Sequence, residues 1–290
     1  MPEAKAVGGR CAIVKDQHED LPEWLGYHEW LGVSHFYIMD DQSDPPLDQL
    51  LQPYIERGLV THRRLEDGPT MAGDLKNRTC MLMNPDWRQL CAYNMCLHDH
   101  GHKHQFMSFT DIDEFLVITD STPDLPTLLQ DYEGYGGVAA NWRSFGSSGF
   151  KQRQPSTLSS YISCLPINAY GAHTQIKSIV NMAHAVRLAG VHHASYAPGY
   201  FAVTASGQPV LNETHTSAPD YSRLALLHYV VKSREDFANK VWRGDAMKGP
   251  GKGELYWKKI NDLSTVTCFD GLHAEQRWRG NTKSHSAASY

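Results

Sequence analysis

The sequence predicts an α/β protein with one open, largely parallel sheet flanked by helices. Three observations carry that prediction. Short apolar runs alternate with amphipathic stretches at helical spacing, the pattern of β-α-β units. Three of those runs end in acid-bearing loops, at Asp16, Asp40 and Asp111, as expected where an open parallel sheet offers its carboxyl edge to a ligand. The chain has 290 residues, 41% of them hydrophobic, with no internal repeat or linker, which suits a single domain.

In chain order, residues 1–10 form an N-terminal extension, and a strand over 11–15 gives way to the polar loop 16–19. Asp20 then caps a helix, with Pro22 in the first turn and Glu23 three residues on completing a capping-box pattern. Leu21, Trp24, Leu25, His28 and Leu31 keep helical spacing, which puts Trp24 and Leu25 on the inner face, and Gly32 ends the helix. A strand over 35–39 runs into Asp40 and Asp41, and a helix over 46–58 sets Leu47, Leu50, Leu51 and Tyr54 on one face. A strand over 59–65 and a helix over 87–100 lead to the strand over 106–110. A short helix over 124–132 and a strand over 137–142 follow, then the glycine-punctuated turn 141–149.

A strand over 175–180 carries Lys177, residues 200–211 form a hairpin turning at 206–209, and an apolar run over 223–231 contains His228 and Tyr229. Ser233 caps a helix over 234–242, with Asp236 three residues after the cap and Gly244 beyond its end. The catalytic domain is expected over 11–270, followed by a polar, frayed tail over 271–290.

The chemistry concentrates at Asp111, Ile112, Asp113, Glu114, Phe115. Asp111 and Asp113 are two residues apart, so in an extended segment they point to one side, where repulsion raises a pKa unless a cation intervenes. A divalent metal is the simplest such cation, and hard oxygen ligands suit Mg²⁺ or Mn²⁺ with positions left for phosphate. By contrast, the histidine-rich stretch 98–104 has the composition of a solvated turn at a helix end. Trp142 and Phe145, flanking the Gly/Ser turn, are candidates to stack on an acceptor sugar.

A net charge of about −5 with scattered Lys and Arg excludes a nucleic-acid footprint. The six cysteines show no CxxC pair, so most are expected to be buried thiols, and Cys91 and Cys96 point in different directions on their helix. No run approaches the length of a membrane span, and residues 1–10 lack the core of a signal peptide, so the chain reads as soluble. Its compartment would be the Golgi lumen if an anchor precedes it in a longer protein, and the cytoplasm otherwise.

Lys15, Asp16, Gln17, His18, Glu19, Asp20, Leu21, Pro22, Glu23 and Trp24, with Tyr27, His28, Gly32, His35 and 40–44, resemble glycosyltransferase family 92 and its bacterial family-2-like relatives. Gln89, Tyr93, Asn94 and Cys96, then 111–115, Trp142, Phe145, Gly146, Lys177, His192, His228, Tyr229, Lys232, Ser233, Phe237, Lys240, Arg243 and Gly244 continue the match in order. The resemblance implies a type A glycosyltransferase fold and an inverting, metal-dependent transfer from a UDP-sugar, galactose among the candidates, to a glycan hydroxyl. Carried onto this chain, Lys15, Asp16 and Glu19, with Asp40 or Asp41, would hold uracil and ribose. Ile112, Lys177 and Lys232 are further candidate donor contacts. Asp111 and Asp113 would hold Mn²⁺ or Mg²⁺, completed by His192 or, alternatively, His228. Lys232, Lys240 and Arg243 would either reach the phosphates or solvate a helix.

Two departures stand out. The family often has an acid where Gln17 stands, and 157–164 lacks the carboxylate that inverting type A enzymes use as general base. The base is therefore unassigned, with Glu213 and Asp220 the acids available later in the chain. Two other readings are a catalytically inactive nucleotide-sugar or glycan-binding protein of this fold, and a nucleotidyltransferase. The latter would want a glycine-rich basic loop after the first strand, which 15–21 is not.

Overall fold

The computed structural model describes residues 6–65, 88–169, 171–211, 214–244 and 252–287, with side chains to residue 280. The chain runs β1 (Ala6–Val14), α1 (Leu21–Trp30), β2 (His35–Asp40), α2 (Asp48–Glu56), β3 (Val60–Arg64), α3 (Arg88–His100), β4 (His104–Phe109) and β5 (Glu114–Ile118). After α4 (Leu125–Gln130) come β6 (Gly137–Ser144), α5 (Thr157–Ser160), β7 (Ser163–Cys164), β8 (Ile176–Asn181), β9 (Ala185–Leu188), β10 (Ala194–Tyr196) and β11 (Ala202–Val203). Then follow β12 (Leu224–His228), α6 (Arg234–Arg243), α7 (Glu254–Leu263), β13 (Val266–Thr267) and α8 (Asp270–Ala287). Trp87, expected to open the third helix, lies outside the described residues.

The central sheet has the order β3-β2-β1-β4-β8-β6-β12-β5, with β11 alongside β6. β3, β2, β1 and β4 are mutually parallel, so Val14, Asp40 and Phe109 reach the same edge and the acidic loops gather there. Beyond β4 the sheet is mixed, because β8 runs antiparallel to both β4 and β6, and β5 antiparallel to β12. One face buries Trp24, Phe36, Phe106 and Phe115, and the other Tyr37, Tyr93, Met107 and Phe109. Both faces are covered, as the apolar strands required.

β5 is an edge strand, and side chains close its outer backbone groups. Trp24 Nε1 donates to the Glu114 carbonyl at 3.0 Å and the Tyr27 hydroxyl to the Leu116 carbonyl at 2.9 Å. The Leu116 N–H donates to His28 Nε2 at 3.2 Å, while His28 Nδ1 bonds the Trp24 carbonyl, which defines a neutral tautomer. Arg277 reaches the Ile118 carbonyl at 3.1 Å. The polar positions on the helix of Trp24 thus serve the sheet.

Four expectations change. Asp20 precedes α1 but makes no capping bond; its carboxylate turns to Lys232 and Arg153 instead. Glu23 does not close a box either, since it accepts from the backbone N–H groups of Thr157 and Leu158 and from the Ser156 hydroxyl at the start of α5. The N-terminal extension is shorter than 1–10, because β1 starts at Ala6 and fully buries Arg10. The tail past 271 is α8, held by buried Ala274 and Glu275 and by Trp278, which packs against Tyr27 and Gly26.

Cysteine usage also differs. Cys164 and Cys268 form a disulfide joining β7 to the segment between β13 and α8, with Cα atoms 6.0 Å apart, and Cys91 is disulfide-bonded too. Cys11 and Cys96 remain free and buried. The hairpin over 200–211 is reduced to β11 and a bridge between Val203 and Pro209. The helix over 234–242 stands, with the Ser233–Asp236 capping box formed in both directions.

At the opposite edge from the acidic loops, the Tyr37 hydroxyl bonds His104 Nε2 at 2.7 Å and its ring stacks on His100 at 4.1 Å. Burial lowers both histidines to about 4 and His28 well below its usual value. A histidine held neutral in the fold contributes stability that is complete above its unfolded pKa of about 6.5 and is lost as pH falls toward its folded value. Urea melts at about pH 7.5, 6 and 4.5 are therefore expected to give steadily falling midpoints. Midpoints unchanged across that range would contradict the neutral assignments.

Candidate functional site

The site begins where β4 ends. Thr110 to Asp113 turn the chain out of the middle of the sheet, and β5 carries it to the far edge. Glu114, fully buried, accepts the Asp111 N–H at 3.0 Å, which tightens that turn. Asp111 and Asp113 then diverge to different partners. Asp111 Oδ1 accepts from Gln89 Nε2 at 2.5 Å and the Tyr93 hydroxyl at 3.2 Å, two residues one turn apart on α3. Its other oxygen lies 3.4 Å from Lys177 Nζ, which also sits 3.8 Å from Glu114. Asp113 accepts from Lys240 Nζ at 2.5 Å, and Lys240 also bonds the Val230 carbonyl.

Beneath the turn, Arg10 donates to the Thr110 hydroxyl at 2.9 Å and the Glu114 carbonyl at 3.1 Å. Its guanidinium also lies 4.6 Å from the centre of the Trp24 ring. The repulsion expected between the two aspartates is answered here by lysines. Burial acts to raise Asp113, but Lys240 outweighs it and holds its carboxyl well below the usual range. Burial likewise opposes Asp111, which Lys177 keeps low. Glu114 goes the other way, pushed by burial up to about 8.

Of the proposed imidazole ligands, His228 is nearer. Its Nε2 stands 3.7 Å from Asp113, and its Nδ1 has no hydrogen-bond partner among the described residues. His192 fixes Nδ1 on the Ile176 carbonyl at 2.8 Å, leaving Nε2 as its acceptor face. Burial lowers His228 to about 3 and His192 to about 4, so both are neutral, the form that binds metal. Among the described residues, no three His, Cys, Asp or Glu side chains converge as a finished cage. Two carboxylates and a neutral imidazole are donor types that a hard divalent cation takes.

Beside the turn opens a cleft of about 320 Å³. Asp16, Glu19 and Asp20 line it from the loop after β1, Asp113 from the acidic turn, Arg153 from the loop after β6, and Lys232, Lys240 and Arg243 from the region of α6. Arg153 pairs with Glu19 at 3.0 Å and also with Asp20 and Asp236, so it ties three segments of the rim together. Lys232, in the left-handed region at φ 50°, bonds Asp20 at 2.6 Å. Burial opposes the Asp20 charge, but Lys232 and Arg153 hold its pKa down to about 2. Lys232 and Lys240 are thus bound to carboxylates rather than solvating a helix, while Arg243 stands on the cleft wall.

Several nominated residues sit elsewhere. Asp40 is fully buried and held by Arg64, His62 and the Ser43 N–H, and Asp41 is paired with Arg88, so neither is available to a ribose. Lys15 is half-buried and is not among the described residues lining the cleft. Ile112 belongs to the core, and Lys177 is buried beneath Asp111 and Glu114. Phe145 is also core, stacked on Tyr229 at 4.7 Å, and cannot meet an acceptor. Trp142 keeps some exposure and packs on His228 at 4.2 Å and His192 at 5.3 Å.

For the base, Glu213 lies outside the described residues. Asp220 accepts from the Ser206 and Ser222 N–H groups and the Ser222 hydroxyl; burial opposes its charge, but these bonds hold its carboxyl below the usual range. A carboxylate so satisfied is a poor proton acceptor. Arg153 and Glu114 were missed as site residues. Arg153 stands two residues after Lys151 in a polar loop, which carries no local signal of a site.

The model of glycosyltransferase family 92 matches residues 12–241, from the first strand through the helix that carries Lys240. The chain belongs to this family. Among curated proteins it is similar to galactan β-1,4-galactosyltransferase GALS1 of Arabidopsis thaliana, 28% identical over 101 residues, covering 34% of this chain and 18% of that protein. A family 92 protein of Ricinus communis is 24% identical over 204 residues, covering 66% of this chain and 31% of its own length. The chain thus spans less than a third of either relative. Among solved structures, Staphylococcus aureus TarS 1-349 in complex with UDP aligns at 12% identity with a TM-score of 0.35, over 61% of this chain and 47% of that one. The family's domain is built here on a mixed α/β sheet flanked by helices. No helix among the described residues is long and apolar enough to cross a membrane.

The lysine beneath the turn gives a stability test. Lys177→Met leaves Glu114 and Asp111 without their shared cation and is expected to cost about 3 kcal/mol in urea unfolding. Adding Asp111→Asn should recover part of the loss, and an unchanged midpoint in the single variant would contradict the pairing.

Proposed function

We propose that this transferase moves a hexose, with galactose the first candidate, from a UDP-sugar to a glycan hydroxyl with inversion at the anomeric carbon. The observation that carries the reading is the meeting, at one sheet edge, of the acidic turn and a cleft walled by Lys232, Lys240 and Arg243. A diphosphate needs charge-assisted donors on one side, and these three residues supply them. Asp16 and Glu19, on the loop after β1, face the same cleft and offer acceptors for ribose or base.

Asp111 and Asp113, with His228 nearer than His192, are the residues that would hold Mn²⁺ or Mg²⁺. Such an ion, when bound, neutralises charge developing on the nucleoside diphosphate. Lys240 is shared between Asp113 and the cleft, so it can donate to a phosphate oxygen without leaving its helix. Arg153 keeps the rim closed by holding Glu19, Asp20 and Asp236 together. Trp142 is the remaining aromatic candidate on the acceptor side.

The test is product release from UDP-galactose with a panel of glycan acceptors, in Mn²⁺ and after EDTA. UDP release that requires acceptor and metal is expected, with Asp113→Asn reducing it by roughly 10²-fold or more while leaving cooperative unfolding intact. Pyrophosphate release from a nucleoside triphosphate would replace this reading with nucleotidyl transfer. Binding of UDP without any turnover would reduce the protein to a nucleotide-sugar binding module.

A further inference from the structure

On the other side of the loop that carries Arg153 lies a second cleft, of about 470 Å³. Ser147, Ser148, Ser163 and Arg234 line it together with Trp257 and Asn261 of α7. We propose that this cleft binds a neutral oligosaccharide, the glycosyl residues of an acceptor chain that lie behind the one receiving the sugar; in that acceptor role it rests on the transferase reading above.

The chemistry is that of a carbohydrate site: a half-buried indole beside a set of oriented hydroxyl and amide groups. Asn261 Oδ1 accepts from the Ser147 N–H at 2.9 Å and its hydroxyl at 2.5 Å, while Asn261 Nδ2 donates to the Trp257 carbonyl at 2.9 Å. That locks the amide and its neighbours in place. Ser148 Oγ accepts from the N–H groups of Ile162 and Ser163 at 2.8 and 2.9 Å, which leaves its proton to donate to a ligand. The Trp257 ring rests on Phe237 at 5.1 Å, and the Arg234 guanidinium lies 5.2 Å from its centre.

The walls are fixed before any ligand arrives. A Cβ at Gly146 would come within 2.5 Å of the Ser264 hydroxyl, so glycine there lets the end of α7 close onto the loop. The Cys164–Cys268 bridge braces the floor beside Ser163. Such preorganisation spares a ligand the ordering cost that weakens binding to mobile surfaces.

The placement suits a chain reaching the donor cleft. Arg234 opens α6 at the second cleft and Lys240 lies six residues on at the first, roughly 9 Å along the helix axis at 1.5 Å per residue. Arg153, a few residues after Ser148 and Lys151, stands on the first cleft while those residues stand on the second. The two clefts therefore share one loop and one helix, at a separation on the scale of a short oligosaccharide.

The experiment titrates the full chain with β-1,4-galactotetraose, cellotetraose and chitotetraose by calorimetry, following the Trp257 indole N–H by NMR. At least one tetrasaccharide is expected to bind saturably and to shift that resonance. Trp257→Ala should weaken its binding roughly tenfold and Trp257→Phe much less, with UDP affinity unchanged in both. Should Trp257→Ala fail to fold, the indole resonance of the wild-type chain decides. No binding of any of the three, an unmoved indole resonance, or a folded Trp257→Ala variant with undiminished affinity would each overturn the proposal. Tetrasaccharide binding at Trp257 in a protein that does not bind UDP would support the glycan site while overturning the transferase reading.

Discussion

Three carboxylates within four residues, at 111, 113 and 114, share one turn, and their mutual repulsion is the constraint around which the molecule is arranged. Left in low dielectric without cations, they could not all remain charged. The chain resolves this from positions far apart in sequence. Arg10 comes up from β1, Lys177 from β8 and Lys240 from α6, while Glu114 yields by taking a raised pKa. The ion pairs that the two lysines make add little net stability over apolar residues, but removing one partner leaves an uncompensated charge. Their value here is positional, since each pair fixes a strand or helix against the turn.

The same logic explains why α1 is so polar on its buried side. β5 leaves the turn and becomes a sheet edge, and the edge would expose unpaired carbonyl and N–H groups. Trp24, Tyr27 and His28 take those groups, with Arg10 and Arg277 at the two ends. The turn that presents Asp111 and Asp113 is thereby held from below, along its exit strand and from the cleft side.

What the sequence revealed and what it hid divide on physical grounds. Period and punctuation are local, so the strands expected at 35–39 and 106–110, the helix after Ser233 and the gathering of acids at one edge were readable from spacing alone. Charge partners are not local. Asp20 and Glu23 had the spacing of a capping box, yet Lys232 and Arg153 offered the first a stronger partner, and the Thr157 N–H at the start of α5 offered the second one. Phe145 and Trp142 looked alike beside a Gly/Ser turn, and only packing separates the core residue from the half-buried one. The bridge between Cys164 and Cys268 spans 104 positions and left no trace in spacing. A polar tail hid α8 because its few anchors, Ala274, Glu275 and Trp278, are diluted among charged residues.

The central claim is that the cleft beside the cation-balanced turn is the donor site. Calorimetric titration of the full chain with UDP, in Mn²⁺ and then in EDTA, tests it most directly. Saturable binding that needs the metal and weakens on Lys240→Met is the result this account predicts. Heat changes absent in Mn²⁺, or affinity indifferent to both the metal and Lys240, would contradict it.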